Sequence, residues 1–339
     1  MDRERTRAGP MVTSGVAAFT EALIDRFTVR ATPLAERLRL LATASRATAT
    51  AIELARAATG RDLVVTFAGH DHAHVDPQSI VVPYNDLDAV RDAFAAHPGR
   101  IAAVLTEAVG VHAGVLAPLP GFNGALALVV ARRGALLVLD ETHTAFRVGP
   151  AGWWGLEADG VTGSTGWRPD LVVLGGFGEG VPLAALGGRA AIVGRAAPSR
   201  AWNADAVASA EATLRLATPD SYAGVDRGAD AIVAALHAAF DAEGVAHVIP
   251  RAGPLFSIAF RPAAVLDDAD ARDQESWRYP PFARAMAEHG APVPASVHQA
   301  WFVAAAPGDP ELDRILDAVP HAARAAAQAS PEPAEDHSP

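Results

Sequence analysis

The chain has 339 residues, half of them hydrophobic and a fifth charged, which is long enough to bury a large core and to divide it between two units. A formal net charge of −11, with no clustered arginines beyond the first seven residues, argues against nucleic acid as a partner, and no run of about 18 uncharged apolar residues offers a membrane span. The absence of cysteine removes disulfides, thiolate nucleophiles and cysteine-bound metals, and it suits a cytoplasmic protein. Lysine is absent too: all 28 Lys+Arg positions are arginine, whose guanidinium stays protonated and cannot act as an amine nucleophile.

Three arginines, at 3, 5 and 7, open a segment of residues 1–32 that lacks the apolar core of a secretory signal. From Pro33 to His321, amphipathic helices alternate with short apolar runs. This pattern predicts an α/β fold with a mostly parallel sheet covered by helices, over residues 33–224. A helix is expected over 48–58, closed by Gly60, and a second over 86–96, capped by Asn85 and stopped before Pro98. Strands are expected at 63–67, 101–106, 135–139, 171–174 and 183–186, and a helix at 204–216. A smaller α+β domain follows over 225–328, with a helix at 226–242 ending at Gly244 and strands near 246–249 and 256–260. Its last helix starts at an Asp309 cap, with Pro310 and Glu311 suited to the first turn. Residues 329–339 have nothing apolar to bury and predict a disordered tail.

Glu107, Asp140, Glu141, His143 and Glu179 all fall at or just beyond expected strand ends, where open parallel sheets place their ligand crevice. That grouping suits general acid–base chemistry. The plainer alternatives are that Asp140 caps a turn, that Glu141 and His143 bond to backbone, and that Glu179 is solvated. His70, His72 and His74 alternate ahead of Asp76 with a spacing compatible with a metal, but a pocket rim is the preferred reading and no metal is assigned. Trp153, Trp154 and Trp167 flank a glycine-rich link, where packing between subunits is preferred over a lid.

The string V-L-D-E-T-H-T-A-F-R at 138–147, then Pro169-Asp170-Leu171 and Leu186-Gly187-Gly188-Arg189, resembles the class III aminotransferases. Further stretches at 51–56, 83–87, 114–122 and 299–303 agree best with the glutamate-1-semialdehyde aminomutase branch. The resemblance implies a fold type I enzyme that uses pyridoxal phosphate as a homodimer on a small-molecule substrate. It implies that Asp140 faces the pyridinium nitrogen, and that Thr43 and Ser45 belong to the phosphate turn, where Ala44 replaces a glycine. His143 and Glu179 line the pocket, Asp71 stands in the place of the stacking aromatic, and Gly176 stands in the place of the Schiff-base lysine. The segment before Pro33 is much shorter than the family's.

With no amine at 176, a covalently bound cofactor is not expected. The resulting expectation is an enzyme of small-molecule, specialised biosynthesis whose old cofactor pocket runs acid–base catalysis, with Asp140 and either His72 or His74 as the central pair and Glu107 and Glu141 beside them. Two alternatives are a noncatalytic partner subunit and an enzyme that holds pyridoxal or pyridoxamine phosphate noncovalently.

Overall fold

The computed structural model describes residues 10–71, 77–160, 166–177, 183–196, 202–304 and 308–331. A seven-stranded sheet organises the larger part of the chain. Its strands are β1 (Arg37–Leu41), β2 (Leu63–Phe67), β3 (Ser79–Val82), β4 (Ile101–Glu107), β5 (Leu136–Glu141), β6 (Leu171–Leu174) and β7 (Ala184–Gly188). The spatial order is β1-β7-β6-β5-β4-β2-β3, and β3, β2, β4, β5 and β6 run parallel. β7 is antiparallel to both β6 and β1. Two glycines let it fit there: a Cβ at Gly187 would meet Leu38 and Ala35, and one at Gly188, whose φ is +145°, would meet the Asp170 carbonyl.

The central strands are continuously apolar because both faces are covered. On one face α2 (Ala44–Thr59) packs Ala47, Ala51, Ile52 and Leu54 against Leu105, Val138 and Val173. On the other, Val104, Leu137, Leu139 and Val172 join a larger cluster with α1 (Pro10–Arg26), α3 (Leu87–Ala96), α4 (Phe122–Arg132) and α5 (Gly152–Ala158). After α6 (Ala204–Leu216) and the long α7 (Pro219–Ala242), a second apolar cluster forms between α7, α8 (Tyr279–Glu288) and α9 (Pro310–Gln328). Beside it lies a small antiparallel sheet of β8 (Arg251–Ala252), β9 (Leu255–Phe256) and β10 (Trp301–Phe302). Among the described residues, no helix is long and apolar enough to cross a membrane.

Several boundaries differ from expectation for identifiable reasons. α2 begins at Ala44 because Thr43 caps it, its hydroxyl accepting from the Arg46 amide. The cap of α3 is Asp86, which accepts from the Asp88 and Ala89 amides. Asn85 instead has a φ of +63° and ties loops together, donating to the Ala117 and Leu266 carbonyls and accepting from Leu119. α7 starts seven residues early, at the Thr218-Pro219 pair, the same cap-plus-proline signal that marks Asp309-Pro310. The strand expected at 246–249 reduces to a single bridge between Val248 and Ala259.

The three tryptophans are not a subunit surface or a lid. All are buried within the chain, and two of their indoles share one carboxylate. Glu157 accepts from Trp153 Nε1 and Trp167 Nε1, both at 2.8 Å, and from Asn123 Nδ2 at 3.1 Å, while Trp154 Nε1 donates to the Trp167 carbonyl. Replacing Glu157 with Leu strands three buried donors, so the E157L variant is expected to lose about 3 kcal/mol of stability, measured by chemical denaturation.

Candidate functional site

The parallel register sets the crevice. Glu107 of β4 lies directly beside Asp140 of β5, which lies beside Val173 of β6. Because side chains alternate along a strand, Glu107 and Asp140 continue the Leu105 and Val138 rows on the face covered by α2. Glu141, one residue on, belongs to the opposite face. It accepts from the Trp153 and Trp154 amides at the start of α5 and from the Thr144 hydroxyl. Burial drives its carboxyl up to about 7, although those donors pull the other way. Its geometry is that of a residue holding α5, not one reaching the crevice.

Glu107 is the hub. Only 3% exposed, it accepts from the Asp71 amide at 2.8 Å and the Val111 amide at 3.0 Å, and its Oε1 lies 3.1 Å from His112 Nδ1. Its own amide donates to His70 Nδ1, which anchors that buried ring. Burial alone would raise the carboxyl, but the neighbouring imidazoles of His70 and His112 and the Asp71 amide outweigh it and hold the group at about 2.

His112 was not singled out from the sequence. It sits in a loop that folds back through paired bonds between Gly110 and Leu116, with Gly114 at a φ of +80°. The signal available was a histidine five residues beyond a strand-end glutamate, between two glycines. Its ring packs edge-on to His143 at 5.1 Å between centroids, and its Nε2 is 3.9 Å from Asp71 Oδ1. Burial lowers the proton affinity of His143, against the pull of Glu107. Asp140 is 2% exposed and accepts from the Thr142 amide at 2.7 Å.

Among the other expected site residues, Thr43 and Ser45 lie exposed at the start of α2, with the Thr43 hydroxyl engaged as the helix cap. Asp71 is exposed at the rim. Gly176 follows β6 by two residues, with a φ of +74°. A Cβ placed there would come within 2.9 Å of Arg147 Nη1. That guanidinium donates to the Thr142 and His143 carbonyls and lies 5.0 Å over the Phe302 ring. His72, His74, Asp76 and Glu179 fall outside the described residues. Among the described ones, no group of three His, Asp or Glu residues is arranged to hold a metal ion.

Residues 72–291 match the family model "Aminotransferase class-III". The chain is 38% identical over 349 residues to glutamate-1-semialdehyde 2,1-aminomutase of Tropheryma whipplei strain Twist, covering 88% of this chain and 74% of that protein. The chain belongs to the class III aminotransferases. An ω-transaminase from Sphaerobacter thermophilus shares the fold with a TM-score of 0.78 at 20% identity, over 94% of this chain and 84% of that one. So does a lysine-to-alanine variant of a glutamate-1-semialdehyde aminomutase from Pseudomonas aeruginosa PAO1, in complex with PMP. It superposes with a TM-score of 0.74 at 23% identity, over 92% and 80% of the two chains. As in this family's fold type I architecture, the crevice lies at the carboxyl ends of the parallel strands.

The depressed Glu107 carboxyl has a stability consequence of definite sign. A folded value of about 2 against an ordinary 4.5 adds stability above about pH 4.5, and this is lost as pH falls through about 2. Wild type should therefore exceed Glu107→Gln by about 3 kcal/mol more at pH 6 than at pH 2, measured by urea denaturation across that range.

Proposed function

We propose that this class III aminotransferase homologue is an enzyme of small-molecule, specialised biosynthesis that no longer forms a Schiff base and uses its crevice for general acid–base catalysis. The observation that carries the reading is the absence of lysine from the sequence; at Gly176, which by resemblance stands in the lysine's place, the backbone is in the left-handed region and Arg147 Nη1 stands 2.9 Å from where a side chain would begin. A Schiff base requires a primary amine on a side chain, and the sequence holds no lysine. The residues present do not fit a covalently held cofactor, so no step is routed through one.

The charged groups support retained chemistry. Glu107 and Asp140 stay buried side by side, with His112 and His143 nearby. A pocket under no chemical demand would exchange such groups for apolar side chains that cost less to bury. Asp140 holds its carboxylate at the crevice floor through the Thr142 amide, while the imidazoles above it move protons. The substrate is a small molecule, and the working form is a cytoplasmic homodimer, as the family suggests.

A second reading, noncovalent binding of the aminated cofactor, is favoured by one comparison: the Pseudomonas lysine-to-alanine variant carries PMP. The exposed Asp71 counts against it here, since it places an anion at the rim.

Melting curves and absorbance spectra with pyridoxal phosphate and with pyridoxamine phosphate separate the two. The first reading expects no new visible band and no rise in melting temperature with either. A saturable rise with pyridoxamine phosphate alone would establish the second. In parallel, incubation with a metabolite extract should deplete a compound with wild type but not with Asp140→Asn. Equal extracts from both would leave a noncatalytic partner subunit.

A further inference from the structure

The turn that closes α7 brings two imidazoles together. His237 lies near the end of the helix, and His247 follows the Gly244 turn on the segment that reaches the Val248–Ala259 bridge. Their ring centroids are 5.0 Å apart, and His237 Nδ1 faces His247 Nε2 at 2.8 Å. The other nitrogen of His247 is committed. Nδ1 lies 2.8 Å from the Val245 carbonyl, which can only accept, so Nδ1 carries a proton. Neutral His247 therefore directs its Nε2 lone pair at His237.

This orientation rests on buried structure. Val245 is buried, and its amide donates to the Phe240 carbonyl. The His247 ring packs 5.0 Å from the Phe240 ring, which in turn touches Phe260 and Phe282 in the second apolar cluster. A ring oriented by a carbonyl on one nitrogen, with the other turned toward a second ligand, is the usual setting of a metal-binding histidine. Burial and the His247 imidazole lower the proton affinity of His237, against the pull of Asp241. His237 is thus biased toward the neutral form that a metal requires. Asp241 stands four residues beyond His237 on α7, the spacing at which one helix face supplies two metal ligands.

We propose that His237 and His247, completed by Asp241, form a site for a divalent transition metal of the zinc type. The crevice chemistry does not depend on it. Zinc–nitrogen bonds of about 2.0–2.1 Å in a tetrahedral site set two nitrogens about 3.4 Å apart, so the rings need to part by only about 0.6 Å. His237 binds through Nδ1 in its other neutral tautomer, with the proton on Nε2. Among the described residues no third ligand is already in place. The exposed Asp241 supplies it by turning its side chain, and water takes the fourth position. Two imidazoles and one carboxylate favour zinc-type ions over magnesium or calcium. The metal fastens the end of α7 to the segment that enters the smaller apolar cluster, so its binding stabilises the folded chain.

The test titrates metal-free, full-length protein with Zn2+ at pH 7.5, followed by calorimetry and by the histidine ring-proton signals in NMR. Wild type is expected to bind Zn2+, to shift the His237 and His247 ring signals together, and to melt a few degrees higher. Mg2+ should do none of these. His237→Ala and His247→Ala should each weaken binding by about tenfold or more, and Asp241→Asn by less. Because His237 is exposed, metal-free His237→Ala should keep its melting temperature within a few degrees. Lowering the pH to 5.5 should also weaken binding, since protonated imidazoles cannot coordinate. Three results would each overturn the proposal: no Zn2+ binding by wild type, binding that leaves the His237 and His247 signals unmoved, or binding undiminished in both alanine variants. The last two would assign the metal to other imidazoles, such as those at 70, 72 and 74.

Discussion

A carboxylate buried at the end of a central strand must be met by donors, and much of the crevice is arranged around how Glu107 is met. Its acceptors take the Asp71 and Val111 amides and face His112 Nδ1, while its own amide secures His70. These partners come from two loops that follow separate strands, β2 and β4, so one side chain fixes the approach of both to the sheet edge. Desolvation works against the charge, and the surrounding donors and imidazoles overcome it. The same carboxylate thus joins both loops and their imidazoles to the end of the sheet.

The second constraint is at Gly176. Backbone in the left-handed region after β6 suits glycine, and the adjoining volume receives Arg147 from the loop after β5. A guanidinium there supplies a permanent cation, pinned by two carbonyls and laid over Phe302. It gives the crevice positive charge but no nucleophilic nitrogen. Class III aminotransferase architecture is thus kept in a sequence that contains no lysine.

Much of the frame was legible in the residues. The apolar runs at β2 and β6 and the helix α6 lie where periodicity places them, and Gly60 and Asp309 end and begin helices as their chemistry predicts. The edge strand β1 was missed because Arg37 and Arg39 alternate with leucine in too short a run, and β3 because it spans only four residues next to a loop. The tryptophans were misplaced because composition cannot tell an interface from an interior. Two of their indole N–H groups found a buried acceptor in Glu157, three residues beyond Trp154, and the third found the Trp167 carbonyl.

By itself the sequence determined what chemistry is possible: without lysine or cysteine, neither an amine nor a thiolate side chain can attack. It also determined which acids and imidazoles sit near strand ends, because apolar runs mark the strands and their polar successors mark the edge. Only the tertiary structure decided which of them share a face. Strand alternation sends Asp140 to the side of α2 and Glu141 to the tryptophan side, although they are neighbours in the chain. It also brought His112 onto Glu107 and Arg147 onto Gly176. Those contacts depend on how loops from separate strands fold back over the sheet, which no local pattern of residues encodes.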